Sequence, residues 1–329
     1  MVKLLSSARS VQLKSVNCNG VLLLNKPVGI SSNRALQISK RLLSATKAGH
    51  TGTLDPMAQG LLPICLGEAT KFSSALLSAD KTYKASLQLG YISSTGDAEG
   101  EIRRVAKSDA CPPDSRQVTA ILQTFLGRSN QIPPMFSALK LYGKPLYRYA
   151  REGITIERKV REIVIHSISL NALSGFEMMI AVRCSSGTYI RTLAEDIGKA
   201  LGYGGAYLTA LSRTGVGHFD LSQACNLDQL ESEQPSDRLK FLYPIDSLLS
   251  DIPSMVFDDD EVVRLQQGQK IRKDRSHPLF LASPKLKLYD RENIFLGLGE
   301  WVDSEVIAPR RMVVLAAVTA AGGLADSIG

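Results

Sequence analysis

The sequence predicts an α+β protein with one large domain and one small domain. At 329 residues the chain is longer than most single domains. Strand and helix patterns are mixed along residues 20–250 without the regular strand–helix–strand alternation of a parallel α/β fold. From residue 251 the pattern changes to short apolar runs separated by Pro, Gly and charged turns, which is typical of a small β domain. We therefore place a domain boundary between residues 250 and 251.

The elements of the large domain are predicted from apolar residues that recur with period two in strands and at helical spacing in helices. Ser31 and Ser32 are N-cap candidates for a basic helix. Gly127 and Gly202 end two further helices. We predict strands over 21–24, 82–89, 162–170 and 176–184, helices over 34–43, 118–125 and 193–201, and a mobile loop over 90–100.

The small domain, over 251–315, is predicted to begin with a helix and to continue as a β-barrel. Asp258 and Glu261 have the spacing of a capping box, and Gly268 ends the helix. Short strands are expected over 280–281, 286–289, 294–298 and 312–315. A domain of about 60 residues is close to the size at which independent folding becomes marginal.

Composition indicates a folded protein of the cytoplasm. The chain is 44% hydrophobic and 22% charged, and no run approaches the roughly 20 apolar residues that a membrane span needs. Residues 1–19 form a basic extension that lacks the continuous apolar segment of a signal peptide. The five cysteines form no CxxC pair and the four histidines are dispersed, so we expect reduced thiols and no metal site.

Charge is segregated along the chain, whose net charge is +7. Residues 131–165 contain seven basic and three acidic side chains with four aromatic residues among them, and 262–291 contain eight basic and two acidic side chains. Residues 226–262, with ten acidic and two basic side chains, read as a solvated acidic connector. We interpret 128–161 as an insertion that packs on nucleic acid, because bases stack on aromatic rings while phosphates pair with cations. The charges alone are explained equally well by a solvated helix that carries Lys and Arg.

One stretch, residues 49–63, has the composition of a ligand-binding loop. It contains three glycines, two prolines and a single carboxylate, that of Asp55. Glycines permit positive φ and close backbone approach, and Pro56 restricts Asp55 to an extended backbone. An Asp-Pro turn that simply leads into a buried strand is the alternative. A functional loop is favoured because His50 and two threonines accompany the carboxylate with almost no apolar side chains to anchor them.

This stretch resembles the signature of the tRNA pseudouridine synthase B (TruB) family, whose members isomerise one uridine in the T loop of tRNA. Similar blocks follow in family order over most of the chain, at 20–27, 67–72, 81–83, 137–140, 187–192 and 308–311. The resemblance implies a mixed, mostly antiparallel sheet of pseudouridine synthase type with a central cleft, in an α+β catalytic domain over 20–250. It also implies that residues 251–315 form a PUA-like RNA-binding domain.

The resemblance further implies the roles of individual residues. Asp55 is the expected nucleophile, Arg191 its partner, and Tyr83 the ring that stacks on the target uracil and accepts its C5 proton. The expected substrate-binding residues are His50, Lys26, Lys71, Tyr189 and Leu211. The expected substrate is the uridine at position 55 of tRNA, which must be flipped out of the folded T arm to be reached. The chain lacks Walker A, GxGxxG and HExxH motifs, so no metal or cofactor is expected. We expect a monomer.

Two other classes of function remain as alternatives at this point. A glycosidase needs a second carboxyl group across the bond from Asp55, and an arginine as the expected partner of Asp55 disfavours it. A non-catalytic RNA-binding or tRNA-folding protein would explain the basic surfaces without any need for Asp55 or Arg191. The chain departs from the family pattern at its ends, where no dense arginine cluster precedes residue 20 and a disordered tail is expected over 316–329.

Overall fold

The computed structural model describes residues 18–273 and 283–314. Most of the N-terminal extension, the strand expected at 280–281 and the tail expected at 316–329 lie outside the described residues. The described part contains a large α+β unit and a small unit built mainly of strands, in the order in which the sequence predicts them.

The large unit contains strands that belong mostly to one sheet, with helices between them. Its strands are β1 Gly20–Lys26, β2 Ala48–His50, β3 Gln59–Leu66, β4 Lys81–Leu89, β5 Tyr91–Ser93, β6 Ile102–Arg104, β7 Gly127–Gln131, β8 Lys140–Leu141, β9 Lys144–Pro145, β10 Arg161–Ser174, β11 Glu177–Cys184, β12 Ala206–Val216, β13 Phe219–Asp220 and β14 Leu242–Tyr243. Its helices are α1 Ser32–Leu42, α2 Ser74–Leu77, α3 Ser115–Gln123, α4 Leu146–Arg151, α5 Ile190–Ala200 and α6 Leu227–Ser232. Short 3-10 turns lie at Gly67–Phe72, Leu221–Gln223, Asp237–Phe241 and Ile245–Leu249.

The main sheet is mixed and mostly antiparallel, as predicted. Eight strands follow one another in the order β14-β1-β3-β12-β4-β11-β10-β7, and β2 and β13 pair with β3 and β12. The parallel pair is β3 with β12, which meet only at Gln59–Ser212 and Gly60–Arg213. Gly60 has a φ of +106°, and a Cβ at this position would lie 2.3 Å from the Arg213 carbonyl oxygen. A side chain at residue 60 would therefore separate the two halves of the sheet where β3 pairs with β12.

Buried apolar side chains cover one face of the sheet at β4, β10 and β11, and both faces at β1 and β3. Helices α3 and α5 pack on the half formed by β4, β10, β11 and β12, and α1 and α6 pack on β1 and β3. On the opposite face of β1 and β3, the 3-10 turns and part of the small unit complete another core. Strand β1 is thus buried on both faces, which explains why its sequence is a continuous apolar run rather than an alternating one.

The small unit is a five-stranded sheet with one helix. It consists of β15 Ser254–Val256, α7 Asp259–Gln266, β16 Ile271–Arg272, β17 Lys285–Tyr289, β18 Phe295–Trp301 and β19 Val306–Met312, with strand order β15-β17-β18-β19-β16. The sheet curls into a half-barrel around its own apolar cluster, which is consistent with the predicted PUA-like domain. Its Phe295, Leu298 and Val313 pack into the core of the large unit, so the two units share a buried contact.

The predicted N-caps are present. The Ser31 side chain accepts from the Arg34 N–H at the start of α1, and Asp258 and Glu261 form a reciprocal capping box at α7. The strand predicted at 312–315 is wrong, because the last strand described is β19, which ends at Met312. Pro309 disrupts the strand pattern of β19, and it is accommodated at a register shift against β18.

Two segments expected to lie apart from the sheet are joined to it. Strand β7 pairs with β10 at the edge of the main sheet, so the basic aromatic segment leaves the sheet near residue 132 rather than 128. The segment expected to be a mobile loop at 90–100 instead begins with β5, which pairs with β6. Within it the Gly96 carbonyl accepts from the Leu208 N–H at 3.1 Å, and Asp97 is 2% exposed.

Candidate active site

The loop that carries Asp55 connects β2 to β3 and is held by the start of α1. The Ser32 hydroxyl, which is buried, accepts from the Leu54 N–H at 2.8 Å and donates to the Leu54 carbonyl at 2.9 Å. The Gly29 N–H donates to the Pro56 carbonyl at 2.8 Å. These contacts fix the backbone on both sides of Asp55, whose side chain is 35% exposed. The carboxylate is therefore held in place and accessible from solvent.

Arg191 contacts Asp55 from the first turn of α5. Its Nε lies 3.1 Å from Asp55 Oδ2, and the Arg191 side chain is only 6% exposed. Nη1 donates to the Thr95 carbonyl and Nη2 to the Phe136 carbonyl, each at 2.7 Å. The guanidinium thus joins the Asp55 loop to two other segments, so its orientation toward the carboxylate is determined by several contacts.

Further charged groups surround this pair. Asp97 Oδ2 lies 3.7 Å from Arg191 Nη1, and the Asp97 side chain is 3% exposed. Lys26 is fully buried, and its ammonium donates to the carbonyls of Pro27 and Ile30 at 2.8 and 2.7 Å. Burial lowers the pKa of Lys26 to about 8, although the Asp55 charge opposes that shift.

The Asp55 carboxyl group experiences opposing influences. Burial raises its pKa above the ordinary value, the Arg191 guanidinium lowers it, the Asp97 carboxylate raises it and the Lys26 ammonium lowers it. Arg191 makes the closest of these charge contacts, at 3.1 Å. The cationic neighbours therefore limit the increase that burial alone would cause, and they favour the ionised carboxylate.

Tyr83 lies on β4 directly opposite Arg213 of β12. Burial raises the pKa of the Tyr83 hydroxyl, and the charge and hydrogen bond of Arg213 oppose this increase. The Asp55 charge also raises the pKa of Tyr83, so the two predicted catalytic groups lie within electrostatic reach of each other. Leu211 is buried in the apolar cluster against which Tyr83 packs.

Tyr189 and His50 are two further predicted substrate-binding residues. The backbone of Tyr189, at the start of α5, exchanges two hydrogen bonds with the Gln131 side chain at 2.8 and 3.0 Å. Burial is the main cause of the raised pKa of the Tyr189 hydroxyl. His50 ends β2, and burial together with the Arg213 charge lowers the pKa of its imidazole, which is therefore neutral at pH 7.

Comparisons with known proteins show the family of this chain. Residues 40–190 match the model of the TruB family pseudouridylate synthase N-terminal domain, 191–250 that of the tRNA pseudouridylate synthase B C-terminal domain, and 253–313 that of the pseudouridine synthase II TruB C-terminal domain. The tRNA pseudouridine synthase B of Nitrosomonas europaea is 76% identical over 306 residues, which are 93% of this chain and 99% of that protein. The chain belongs to the TruB family. The relative from Nitrosospira multiformis is 54% identical over 90% of this chain and 95% of its own length.

Solved structures show that this TruB family member has the pseudouridine synthase fold. A chain in the crystal structure of the archaeal box H/ACA sRNP Nop10–Cbf5 complex matches with a TM-score of 0.64 at 22% identity, over 90% of this chain and 86% of that one. A chain in a Cbf5–Nop10–Gar1 complex matches with a TM-score of 0.64 at 24% identity, over 90% of this chain and 84% of that one. At these identities the likeness concerns the fold.

Lys71, a predicted substrate-binding residue of this TruB family member, contacts the small unit. Its ammonium lies 2.6 Å from Glu68 Oε2 and donates to the Met312 carbonyl at 3.0 Å. The Lys71 carbonyl in turn accepts from Arg311, and Glu68 accepts from the Val314 N–H. These contacts join the Gly67–Phe72 turn to the end of the small unit, so they indicate that Lys71 holds the two units together.

Three site residues were missed by the sequence reasoning. Asp97 and Arg213 are buried beside the predicted catalytic groups, and Gln131 holds the backbone of Tyr189. An acid in a loop has no local feature that marks it as buried. For Arg213, a signal was present in the form of a charged side chain within the apolar alternation of β12.

The sequence predicts neither a metal site nor a membrane span. Within 18–273 and 283–314, no group of three or more His, Cys, Asp or Glu side chains is arranged to hold a metal ion. Of the helices in those ranges, none is both long and apolar enough to cross a membrane.

Proposed function

We propose that this chain converts the uridine at position 55, in the T loop of tRNA, to pseudouridine, with Asp55 as the nucleophile. The observation that carries the proposal is the 3.1 Å contact between a partly exposed Asp55 and a buried Arg191. Membership of the TruB family and the name of the Nitrosomonas europaea relative, tRNA pseudouridine synthase B, support the same reaction.

The reaction needs no change of oxidation state. The N1–C1′ bond breaks, the uracil turns, and a C5–C1′ bond forms, while a proton leaves C5 and a proton is added at N1. A carboxylate can act as the covalent nucleophile at the junction of ribose and base. Asp55 must be ionised for this role, and Arg191 and Lys26 both lower its pKa. The fixed guanidinium also orients the attacking oxygen.

The surrounding residues supply a site for a base that has left its stack. Tyr83 provides an aromatic ring and a hydroxyl near Asp55, and it is our candidate for stacking and for accepting the C5 proton. His50, Tyr189 and Leu211 are candidates for contacts with the flipped nucleotide. Lys26 is buried and its ammonium is bound to backbone carbonyls. We therefore assign Lys26 an electrostatic effect on Asp55 rather than direct contact with RNA.

The basic aromatic segment is our candidate for binding the T arm. After β7 it forms the β8–β9 hairpin and α4. At the hairpin tip Tyr142 is 94% exposed, and Lys144 and Arg151 lie over the rings of Tyr149 and Tyr147. An exposed ring together with nearby cations suits single-stranded bases and phosphates. We further propose a cytoplasmic monomer, since four of the five cysteines are buried free thiols.

Neither alternative function is supported by a specific contact. A glycosidase would need a carboxyl group that faces Asp55 across the substrate, but the nearby Asp97 side chain is 3% exposed and lies against Arg191. An RNA-binding protein without catalysis would not require a buried arginine that orients a half-open carboxylate.

The test uses an unmodified tRNA transcript and chemical mapping of pseudouridine. Asp55→Asn is nearly isosteric but lacks an anionic nucleophile, so we expect no pseudouridine in the T loop. Because phosphate contacts elsewhere position the RNA, tRNA binding should stay within about threefold of the wild-type value. The matched control is Asp228→Asn, at an exposed position of α6. Turnover by Asp55→Asn near the wild-type rate would refute the proposal and favour the RNA-binding alternative.

A further inference from the structure

Arg213 is a buried cation that lies beside Tyr83. Its side chain is 1% exposed, and among residues 18–273 and 283–314 no ion pair includes it. Burying a charge is costly unless hydrogen bonds or an opposite charge compensate for the lost water. The position of Arg213 therefore needs a physical explanation.

Two carbonyls from separate segments accept hydrogen bonds from the guanidinium. Nε donates to the Leu61 carbonyl at 2.8 Å, and Nη2 donates to the Gly52 carbonyl at 3.1 Å. Arg213 also lies directly opposite Tyr83 in the β12–β4 ladder, and its charge lowers the pKa of the Tyr83 hydroxyl. Since Gly52 belongs to the loop that carries Asp55, Arg213 connects that loop to the strand position of Tyr83.

The register of the sheet produces this contact. Arg213 is paired with Tyr83 in the antiparallel β12–β4 ladder and with Gly60 in the parallel β12–β3 ladder. Residues directly opposite each other on neighbouring strands have side chains on the same face. The β12–β4 register shifts between Arg213 and Gly215, and bulges of this kind often redirect a side chain beside an active site.

We propose that Arg213 is a positioning residue for the transfer of the C5 proton to Tyr83. The inference rests on the proposed function. Arg213 holds the Asp55 loop beside the strand position of Tyr83, and its charge stabilises negative charge on the Tyr83 oxygen. Among residues 18–273 and 283–314, no carboxylate forms an ion pair with Arg213 that would weaken this effect.

The proton transfer balances as follows. The Tyr83 hydroxyl first gives its proton to water and becomes a phenolate. The C5–H bond of the rearranged base then breaks and its proton bonds to the Tyr83 oxygen. The electron pair of that bond restores the C5–C6 double bond, the C6–N1 double bond becomes single, and N1 takes a proton from water. Besides Arg213, the groups that face Tyr83 are Cys184 and Asp55, and both raise the pKa of its hydroxyl. Arg213 is thus the neighbour that favours the phenolate.

The experiment separates proton removal from the earlier steps. Single-turnover rates are measured on tRNA with uridine, with uridine deuterated at C5, and with 5-fluorouridine, which has no C5 proton. For Arg213→Gln we expect the rate on uridine to fall at least about tenfold, with a larger deuterium effect than in the wild type. Covalent complex formation with 5-fluorouridine tRNA should stay within about threefold of the wild-type rate. Arg213→Lys keeps the charge but loses the planar guanidinium and its several donors. We therefore expect a loss of rate on uridine between those of the wild type and Arg213→Gln.

Two comparisons make the result decisive. Tyr83→Phe should show the same selective loss on uridine. The control is Arg183→Gln on the neighbouring strand β11, which removes an arginine whose ion pair with Asp80 is 3.0 Å long. This variant should show no selective loss of rate on uridine. Equal loss on uridine and 5-fluorouridine, or an unchanged deuterium effect, would show that Arg213 serves only the fold of the loop. If Arg213→Gln does not fold, the size of the deuterium effect in Arg213→Lys decides between a role in proton transfer and a role in the fold of the loop. Failure of the wild type to form pseudouridine would instead refute the proposed function.

Discussion

Replacing Arg191 by lysine should damage both activity and stability, although the charge is kept. The guanidinium uses separate nitrogens for Asp55, at 3.1 Å, and for the carbonyls of Thr95 and Phe136, each at 2.7 Å. A lysine has one nitrogen and cannot reach three acceptors that lie in different directions. If it keeps the contact with Asp55, the two carbonyls lose their donor.

The cost in stability follows from those two carbonyls. Leaving a buried acceptor without a partner costs about 1–3 kcal/mol. A cavity of about 580 Å³ is lined by Thr95, Phe136 and Arg191, among others, and it can admit water to the carbonyls. We therefore take the lower value of about 1 kcal/mol for each carbonyl. The total, about 2 kcal/mol of unfolding free energy, corresponds to a decrease in Tm of roughly 4 °C.

The effect on catalysis is larger, because the planar fork also orients the nucleophile. We expect the single-turnover rate on saturating tRNA to fall at least about tenfold, equivalent to about 1.4 kcal/mol. The matched control is Arg183→Lys at an ion pair with a 58% exposed arginine side chain, where a loss of under about 1 kcal/mol and no loss of rate are expected. A wild-type rate in Arg191→Lys would refute the orienting role. An unchanged Tm would refute the structural argument.

Three further predictions concern the charge around Asp55 and the RNA-binding surface. Asp97→Asn removes a negative charge that raises the pKa of Asp55. The pH–rate profile for single turnover should therefore shift to lower pH, and an unchanged or upward-shifted profile would contradict this. Lys26→Met removes a cation that lowers the pKa of Asp55, so the pH–rate profile should shift to higher pH. Shifts in the same direction in both variants would exclude charge as the cause of the shifts. Tyr142→Ala at the 94% exposed hairpin tip should raise KM for tRNA about fivefold or more through lost stacking, with kcat unchanged. The control is Leu239→Ala, which is also exposed but lies in the acidic segment, and equal KM values for the two variants would argue against RNA contact at the tip.

Local sequence patterns were sufficient for most elements and for the site loop. Ser31 and the Asp258–Glu261 pair begin helices as predicted, because a cap involves residues only three positions apart. Alternating apolar residues located β4 and β11, since burial of one face imposes a period of two. The family blocks added Asp55, Tyr83 and Arg191 as candidates. Their catalytic roles stay predictions.

Only the tertiary structure decided which charged groups meet. Asp97 reaches Arg191 and Arg213 reaches Tyr83 across about 94 and 130 positions of sequence, so no local pattern could pair them. The same holds for Lys71, whose contact with Met312 depends on how the two units pack. A residue's type and spacing determine the element it forms and the face it occupies. The register between distant strands determines its neighbours, and in this site those neighbours set the burial and charge on which the chemistry depends.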